Sequence, residues 1–305
     1  MYSRSQAHAP VAREESPTRP PPGLGRSRQD RYGNGFLAGQ LDKGAAEKDG
    51  GGHDPAYEAE GVSHEGHEHG TQPQASTIQK IKNPAPAVPG EQRREVLGVI
   101  ILGRGVSPSA LDSCERFIVA TLSNRKDVQV RLKKEQAALV IIPRDKKMTD
   151  VPEFASLKGT QTFDGRMWDD VRGSGGMRVP SGLLAIGVPE ENLVDAGTDT
   201  YAEGYSVGLH ELAHAIHWKG LADKEREQIT AMYEARKKAN GPWTEEYGAS
   251  NEWEYYAQAT NCFFGVNDGI GQNGSEWLSK YDAPMFAFLV SVYGPAPAAK
   301  PAAGR

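Results

Sequence analysis

Two histidines and a glutamate occur in the order His-Glu-x-x-His at residues 210–214, inside the segment YSVGLHELAHAIHWKG. Four residues of an α-helix turn the chain by about 400°, so the imidazoles of His210 and His214 lie on one face, one turn apart. Two imidazoles at this spacing can bind one tetrahedral Zn²⁺ ion. Glu211 lies beside them, where its carboxylate can accept a proton from an attacking water molecule without joining the ligands. The spacing therefore predicts a zinc site with a general base.

The alternative interpretation of this segment is a helix whose histidines only cap it or pack in the interior. The apolar residues Leu209, Leu212, Ala213 and Ile216 form a separate stripe along the same helix. A polar site and an apolar anchor then occupy different faces, as an amphipathic helix requires. This arrangement favours the metal site.

A third metal ligand is expected from the segment EEYGASNEWEYYAQATNCFFG, roughly 40 residues downstream. Its pattern predicts a helix with Ser250 or Asn251 as N-cap and with Glu254 on the face opposite the apolar stripe. Glu254 would complete a set of two histidines and one glutamate with one position open for water. Glu252 is the alternative ligand, but it lies about 200° from Glu254 around the helix, so only one of them can face the metal. We assign Glu254.

The segments HELAHAIH and YGASNEWEYYAQA resemble the catalytic domain of the anthrax lethal factor family. The pattern of that family is HExxH followed by Y-G-x-x-N-E-x-E-[FY]-[FY]-A-E, which is far more specific than HExxH alone. The segment YDAPMFAFLVSVYG is similar to the closing helix of that domain. The segment GRMWDDVRGSGG resembles the stretch before the zinc helix in secreted relatives that include proline-directed endopeptidases. The resemblance covers about the last 200 residues.

The resemblance implies a role for each matching residue. His210 and His214 correspond to the histidine ligands, Glu254 to the third ligand and Glu211 to the general base. Tyr247 precedes Glu254 by seven residues and corresponds to a tyrosine beside the developing oxyanion. Its phenol could donate a hydrogen bond to that oxygen.

Five nearby polar or aromatic positions are not assigned to the metal site. Gln258 occurs where the family more often has glutamate, and its amide could hydrogen-bond a ligand with less effect on ligand basicity. His217 lies nearly on the face of the two ligand histidines but one turn further on, so we expect it to border the substrate cleft or meet solvent. Trp168, Asp169 and Asp170 are either strand-edge and loop residues or part of the cleft.

Short apolar runs and one amphipathic segment precede the metal-binding residues. Ser107 and Pro108 predict a helix start, and apolar residues follow them at helical spacing up to Leu122. The predicted strands are residues 96–103, 128–132, 138–143 and 182–188. This β-α-β-β order predicts a small mixed sheet with one helix against it.

We therefore predict an α+β, zincin-like fold in which a small mixed-sheet lobe faces a helical lobe with the HExxH helix. Residues 1–94 are predicted to be a disordered Pro/Gly/His-rich tail because their composition cannot bury enough surface to offset ordering entropy. Residues 95–295 are predicted to be the zinc metallopeptidase domain, and residues 296–305 a disordered C-terminal tail. The tail segment HEGHEHG could bind a metal loosely, or it is only a polar linker.

Composition excludes several classes of partner. The net charge of -5 arises from 40 acidic and 35 basic residues, so there is no basic excess to attract nucleic acid. The two cysteines, Cys114 and Cys262, predict buried thiols rather than a disulfide framework. Neither a signal peptide nor a run of ~18 apolar residues is present, so no membrane span is expected. We expect a monomer that is cytoplasmic or secreted by a non-classical route.

The residues and the resemblance together predict a zinc-dependent metalloendopeptidase that hydrolyses internal bonds of a protein or peptide substrate. The family contains bacterial toxins that cleave proteins of other cells, so the resemblance also implies a toxin or effector. One alternative is a catalytically inactive zinc-binding module, against which the intact Glu211 argues. The other alternative is a delivery protein that acts through its disordered tail.

Overall fold

The computed structural model describes residues 80–82, 89–162, 165–195, 204–267 and 271–297. Every strand among these residues lies between positions 81 and 195, and the helices that follow occupy positions 207–293. The predicted α+β class is therefore confirmed.

Five strands form the main sheet and two short ones form a separate pair. The strands are β1 Ile81–Lys82, β2 Glu91–Val96, β3 Val99–Arg104, β4 Ala137–Ile142, β5 Ser174–Arg178, β6 Leu184–Pro189 and β7 Val194–Asp195. The order in the main sheet is β2-β3-β4-β6-β5, and β1 pairs with β7. The inner strands β3, β4 and β6 are parallel, whereas the outer strands β2 and β5 are antiparallel to their neighbours. The sheet is mixed, as predicted.

The α-helices connect some of the strands and predominate in the described chain after β7. They are α1 Pro108–Leu122, α2 Lys126–Lys134, α3 Glu190–Leu193, α4 Val207–Ala215, α5 Asp223–Lys238, α6 Glu252–Phe263, α7 Ser275–Tyr281 and α8 Ala283–Tyr293. A π-helical turn, Ile216–Gly220, follows α4, and a 3₁₀ turn, Glu246–Ala249, precedes α6. None of the helices in the described ranges combines the length and apolar character that a membrane crossing requires.

The hairpin of β2 and β3 begins before the predicted start of the domain. Residues 91–94, assigned to the tail, lie in β2, and the predicted strand 96–103 crosses the turn at Leu97 and Gly98. Side chains of β2 alternate between exposed and half-buried, so this edge strand has no apolar run that would reveal it. Residues 91–94 therefore belong to the sheet, and the extent of the tail before them stays a prediction. Residues 1–79, 83–88 and 298–305, with the HEGHEHG segment, lie outside the described residues.

Residues 128–132, predicted as a strand, are helical and belong to α2. Val128 and Leu132 are fully buried one helical turn apart, while Val130 between them is 67% exposed. A pair of apolar residues four apart fits both a helix face and an alternating strand, so five residues could not separate the two patterns. The observed order is β-β-α-α-β rather than β-α-β-β.

Both faces of the main sheet are covered. On one face, strand residues such as Ile101, Leu139 and Ile186 pack with α1, α4 and α6 in the main core. The predicted apolar stripe of α1 belongs to this core and comprises Leu111, Cys114, Phe117, Ile118 and Leu122. On the other face, Val140 packs in a smaller core with Trp168. Both cysteines are free and buried, as predicted.

Asp282 links three helices of the C-terminal part. Its carboxylate forms an ion pair with Arg236 of α5 at 2.7 Å and accepts a hydrogen bond from the Tyr255 hydroxyl of α6 at 2.6 Å. It also caps α8 by accepting from the Met285 backbone N–H at 3.4 Å. Only 5% of the Asp282 side chain and 12% of the Arg236 side chain are exposed. Each charge therefore depends on the other to offset its desolvation.

We predict that Asp282→Ala lowers the free energy of unfolding by ~3–5 kcal/mol, because the variant leaves the buried Arg236 cation unpaired. Urea unfolding of the full chain measures this change. The control is Asp223→Ala, which breaks an ion pair with Arg226 in which the Asp223 side chain is 86% exposed. That variant should lose less than ~1 kcal/mol. Equal losses in both variants would contradict the linking role of Asp282.

Candidate metal centre

Hydrogen bonds from three side chains fix the N-terminus of α4. Ser206 is its N-cap, and the Ser206 hydroxyl accepts a hydrogen bond from a backbone N–H of the first turn. Asn192 of α3 accepts from the Val207 N–H at 2.7 Å and donates to the Tyr205 carbonyl at 2.9 Å. Asn261 of α6 donates to the Ser206 carbonyl at 2.9 Å. These bonds fix the position of α4 relative to both α3 and α6.

The N-terminus of α6 is fixed by Asn251, one of the two residues predicted as its N-cap. The Asn251 side chain accepts hydrogen bonds from the backbone N–H groups of Trp253 and Glu254, each at 3.0 Å. Glu254 lies in this first turn, so its backbone position is determined by the cap.

Three side chains from α4 and α6 meet at one point. The His210 Nε2 atom lies 3.0 Å from His214 Nε2 and 3.1 Å from Glu254 Oε2, and His214 Nε2 lies 3.5 Å from Glu254 Oε2. Ligand atoms ~2.1 Å from a tetrahedral metal are separated by about 3.4 Å, so these distances fit a single ion. The side chains are at most 1% exposed. The three residues could therefore hold a metal ion.

The charges in the cluster suit a cation. Burial acts to raise the pKa of Glu254, but His214 and His210 outweigh it and lower this pKa to about 2. Burial lowers the pKa of His210. Burial also disfavours a charge on His214, but the Glu254 carboxylate outweighs it and raises the His214 pKa. An ionised carboxylate beside two imidazoles can bind a divalent metal once His214 gives up its proton, so metal binding would release that proton.

Glu211 lies next to the cluster without belonging to it. Its side chain is fully buried, and neither carboxylate oxygen has a hydrogen-bond partner among the described residues. Burial raises the pKa of Glu211 to about 8. Because an unsatisfied buried carboxyl is costly, Glu211 is a candidate for a chemical role.

Tyr247 lies in the 3₁₀ turn before α6. Its backbone N–H donates to Glu245 Oε2 at 3.0 Å, and the residue is 8% exposed. The next residue, Gly248, packs on the side chain of Gln258, one turn beyond Glu254. Tyr247 is thus held beside the helix that carries Glu254. Glu252, the alternative ligand, is half-buried and lies outside the cluster.

Two expectations for neighbouring residues are wrong. His217 neither meets solvent nor lines a cleft, because it is 2% exposed and its ring lies 4.7 Å from that of Trp253 and 5.2 Å from that of Tyr256. His217 belongs to the π-helical turn, so its direction differs from the one that a continuous α-helix would give it. The Gln258 amide donates to the Tyr205 hydroxyl at 3.5 Å rather than to a metal ligand.

The segment 168–170 divides between the core and the surface. Trp168 is a buried core residue, 1% exposed. Asp169 accepts hydrogen bonds from Thr149 and from Lys147, the latter at 3.3 Å, and Asp170 is exposed. All three residues belong to a 3₁₀ turn, Trp168–Asp170, rather than to a strand edge.

Sequence reasoning missed Asn192 and the whole of β5. Asn192 is a buried polar residue in a short helix, and neither its type nor its spacing distinguishes it from a surface asparagine. The strand β5 has the sequence SGGMR, and glycine has a low preference for strands. The Gly-rich stretch therefore resembled a connection between strands.

Comparison with known proteins gives one match. The family model described as "Anthrax toxin lethal factor, N- and C-terminal domain" matches residues 117–289, which is more than half of the chain. The matched range contains both helices of the metal centre. No curated protein and no solved structure matches the chain.

The buried His217 predicts a pH-dependent stability. Burial lowers the pKa of His217 from 6.5 to about 3, so between these values the unfolded chain binds a proton that the folded chain does not. The contribution of His217 to the free energy of unfolding is fully present above pH 6.5. As the pH falls towards 3, this contribution decreases by up to ~1.4 kcal/mol per pH unit.

His217→Phe removes this titration and keeps a ring against the two aromatic neighbours. Urea unfolding at pH 7 and at pH 4, with a chelator present in all samples, measures how much the free energy of unfolding falls between the two pH values. We predict that this fall is about 2–3 kcal/mol smaller in the variant than in the wild type. Parallel pH profiles would show that His217 is protonated in the folded state.

Proposed function

Because the chain belongs to the anthrax toxin lethal factor family, we propose that it is a zinc-dependent metalloendopeptidase with a zincin-like arrangement. The observation that carries the proposal is the buried cluster of His210, His214 and Glu254 beside the Glu211 carboxylate, which accepts no hydrogen bond from the described residues. Two imidazoles and one carboxylate leave one coordination position open, which is typical of catalytic rather than structural zinc sites.

A zinc ion held by these residues would polarise the scissile carbonyl and lower the pKa of a water molecule to about 7. Glu211 would accept the proton of the attacking water and deliver it to the leaving amine. Its high pKa reflects burial, and a neighbouring divalent cation would lower it towards neutrality, where a carboxyl group can both accept and donate a proton. The intact base disfavours a catalytically inactive zinc module.

Tyr247 would stabilise the oxyanion. A phenol held at the start of α6 could donate a hydrogen bond to the carbonyl oxygen as this oxygen becomes tetrahedral. The benefit, ~3 kcal/mol in comparable sites, would then belong to the transition state rather than to substrate binding.

The proposed substrate is a polypeptide in an extended conformation. Among the described strands, β5 pairs only with β6, so it forms one edge of the sheet, and its N-terminal end lies against α4. An extended peptide could add to such an edge and bring its backbone towards the metal centre. We propose a monomer that acts as a toxin or effector on a protein and not on nucleic acid.

The ligand assignment predicts which variants lose the metal. His210→Ala and Glu254→Ala should lose stoichiometric zinc, whereas the wild type and Glu252→Ala should each carry one zinc ion per chain. Elemental analysis of the purified full chain measures this content. Glu252→Ala is the matched control because Glu252 lies in the same helical turn, outside the cluster. Stoichiometric zinc in both ligand variants would refute the assignment.

The mechanism predicts the effect of two conservative substitutions on peptide cleavage. Digestion of a peptide library by the full chain, with and without a chelator, supplies a cleaved peptide for kinetics. Glu211→Gln should keep zinc and lose at least ~10² in kcat. Tyr247→Phe should keep zinc and lose ~10- to 10³-fold in kcat with KM nearly unchanged.

Tyr281→Phe is the control for the tyrosine, because Tyr281 is 44% exposed, and it should cleave like the wild type. Wild-type turnover in Glu211→Gln would show that Glu211 is not the general base. A raised KM alone in Tyr247→Phe would make this residue a substrate contact. A zinc-loaded chain that cleaves no library peptide would argue against peptidase activity.

A further inference from the structure

The chain leading into and along β5 contacts the catalytic face of α4 at two glycines. A Cβ atom on Gly175 would lie 2.6 Å from His214 Cβ and 2.7 Å from His214 Cδ2. A Cβ atom on Gly173 would lie 2.5 Å from Glu211 Oε1 and 2.8 Å from Val207 Cγ1. Carbon atoms in contact are ~3.5–4.0 Å apart, so any other residue at these positions would have to displace its neighbour.

These two glycines are required for space and not for backbone conformation. Neither Gly173 nor Gly175 has a positive φ angle. Gly176 differs, since its φ of 96° coincides with the register shift between Ser174 and Met177. A side chain at Gly176 would meet its neighbours only at 3.5 Å or more. Hence Gly176 serves the β-bulge, whereas Gly173 and Gly175 serve the contact with α4.

The contact matters because no hydrogen bond from the described residues reaches the outer ring nitrogen of His214 or the Glu211 carboxylate. His214 Nδ1 and both carboxylate oxygens of Glu211 have no hydrogen-bond partner among the described residues. Metal-binding histidines are normally oriented by a hydrogen bond from the second ring nitrogen to a protein group. In this chain the backbone of residues 173–175 takes the place of that partner by packing against the ring and the carboxylate.

We propose that Gly175 and Gly173 are positioning residues of the metal centre, with Gly175 setting the His214 imidazole and Gly173 setting the Glu211 carboxylate. The chemical roles of His214 and Glu211 rest on the proposed function, but the steric restraint does not. The division is specific: the contact at Gly175 acts on a metal ligand, and the contact at Gly173 acts on the base.

The proposal is tested by zinc affinity and by kinetics of the full chain. Gly175→Ala should weaken zinc binding ~10- to 100-fold in a chelator competition and alter the visible spectrum of the Co²⁺-substituted protein. Gly173→Ala should retain zinc and lower kcat at least ~10-fold, with KM unchanged. Wild-type zinc affinity and spectrum in Gly175→Ala, or wild-type kcat in Gly173→Ala, would overturn the respective half of the proposal.

Gly103→Ala is the matched control. Its Cβ atom would lie 2.5 Å from Val106 Cγ2, a contact as tight as those on β5, but in β3 rather than beside the metal centre. This variant should lower Tm while leaving zinc affinity and kcat unchanged. A similar loss of zinc in Gly103→Ala would mean that general destabilisation explains the effect, and would overturn the proposal.

Double-mutant cycles of thermal stability, measured with a chelator present, need neither substrate nor zinc. The loss of Tm caused by Gly175→Ala should shrink in a His214→Gly background, and the loss caused by Gly173→Ala should shrink in a Glu211→Ala background. Undiminished losses would overturn the proposal even if a single variant folds poorly. A chain that cleaves no peptide but shows both couplings would refute the proposed function and leave the steric restraint in place.

Discussion

The structure depends on the burial of four ionisable side chains at the contact between α4 and α6. An isolated charge in a protein interior is strongly unfavourable, so buried ionisable groups are paired, bind a metal or stay neutral through a shifted pKa. His210, His214 and Glu254 are paired, because they contact one another within 3.5 Å. Glu211 is not, because both of its oxygens lack a hydrogen-bond partner among the described residues. This contrast separates the proposed ligands from the proposed base.

The two glutamates show how surroundings give one residue type two roles. Both are almost completely buried, yet the pKa of Glu254 is lowered to about 2 by two histidines and that of Glu211 is raised to about 8 by burial. On α4, the base Glu211 and the two histidines that act on Glu254 lie within about one helical turn of one another. A carboxylate that stays ionised suits a metal ligand, and one that can hold a proton suits an acid–base catalyst.

Several contacts outside the cluster fix the positions of α4 and α6 relative to each other. Asn192 and Asn261 bind the N-terminal end of α4, and Asp282 ties α6 to α5 and α8. Gly173 and Gly175 allow the backbone leading into and along β5 to approach α4 at Glu211 and His214. The metal centre is therefore held between an edge strand and a helical layer. Small displacements matter there, because metal–ligand distances tolerate only ~0.2 Å.

The sequence by itself determined the features that depend on local spacing. The placement of His210 and His214 on one helix face, a helix start at Ser250 or Asn251 and the buried stripe of α1 all follow from helical geometry, which neighbouring residues define. Tertiary structure decided the rest. A spacing of four fits a helix and a strand equally, so only packing made residues 128–132 helical. Likewise, the meeting of Glu254 with the histidines, the burial of His217 and the pairing of the Gly-rich β5 depend on residues distant in the chain, and no local pattern encodes those contacts.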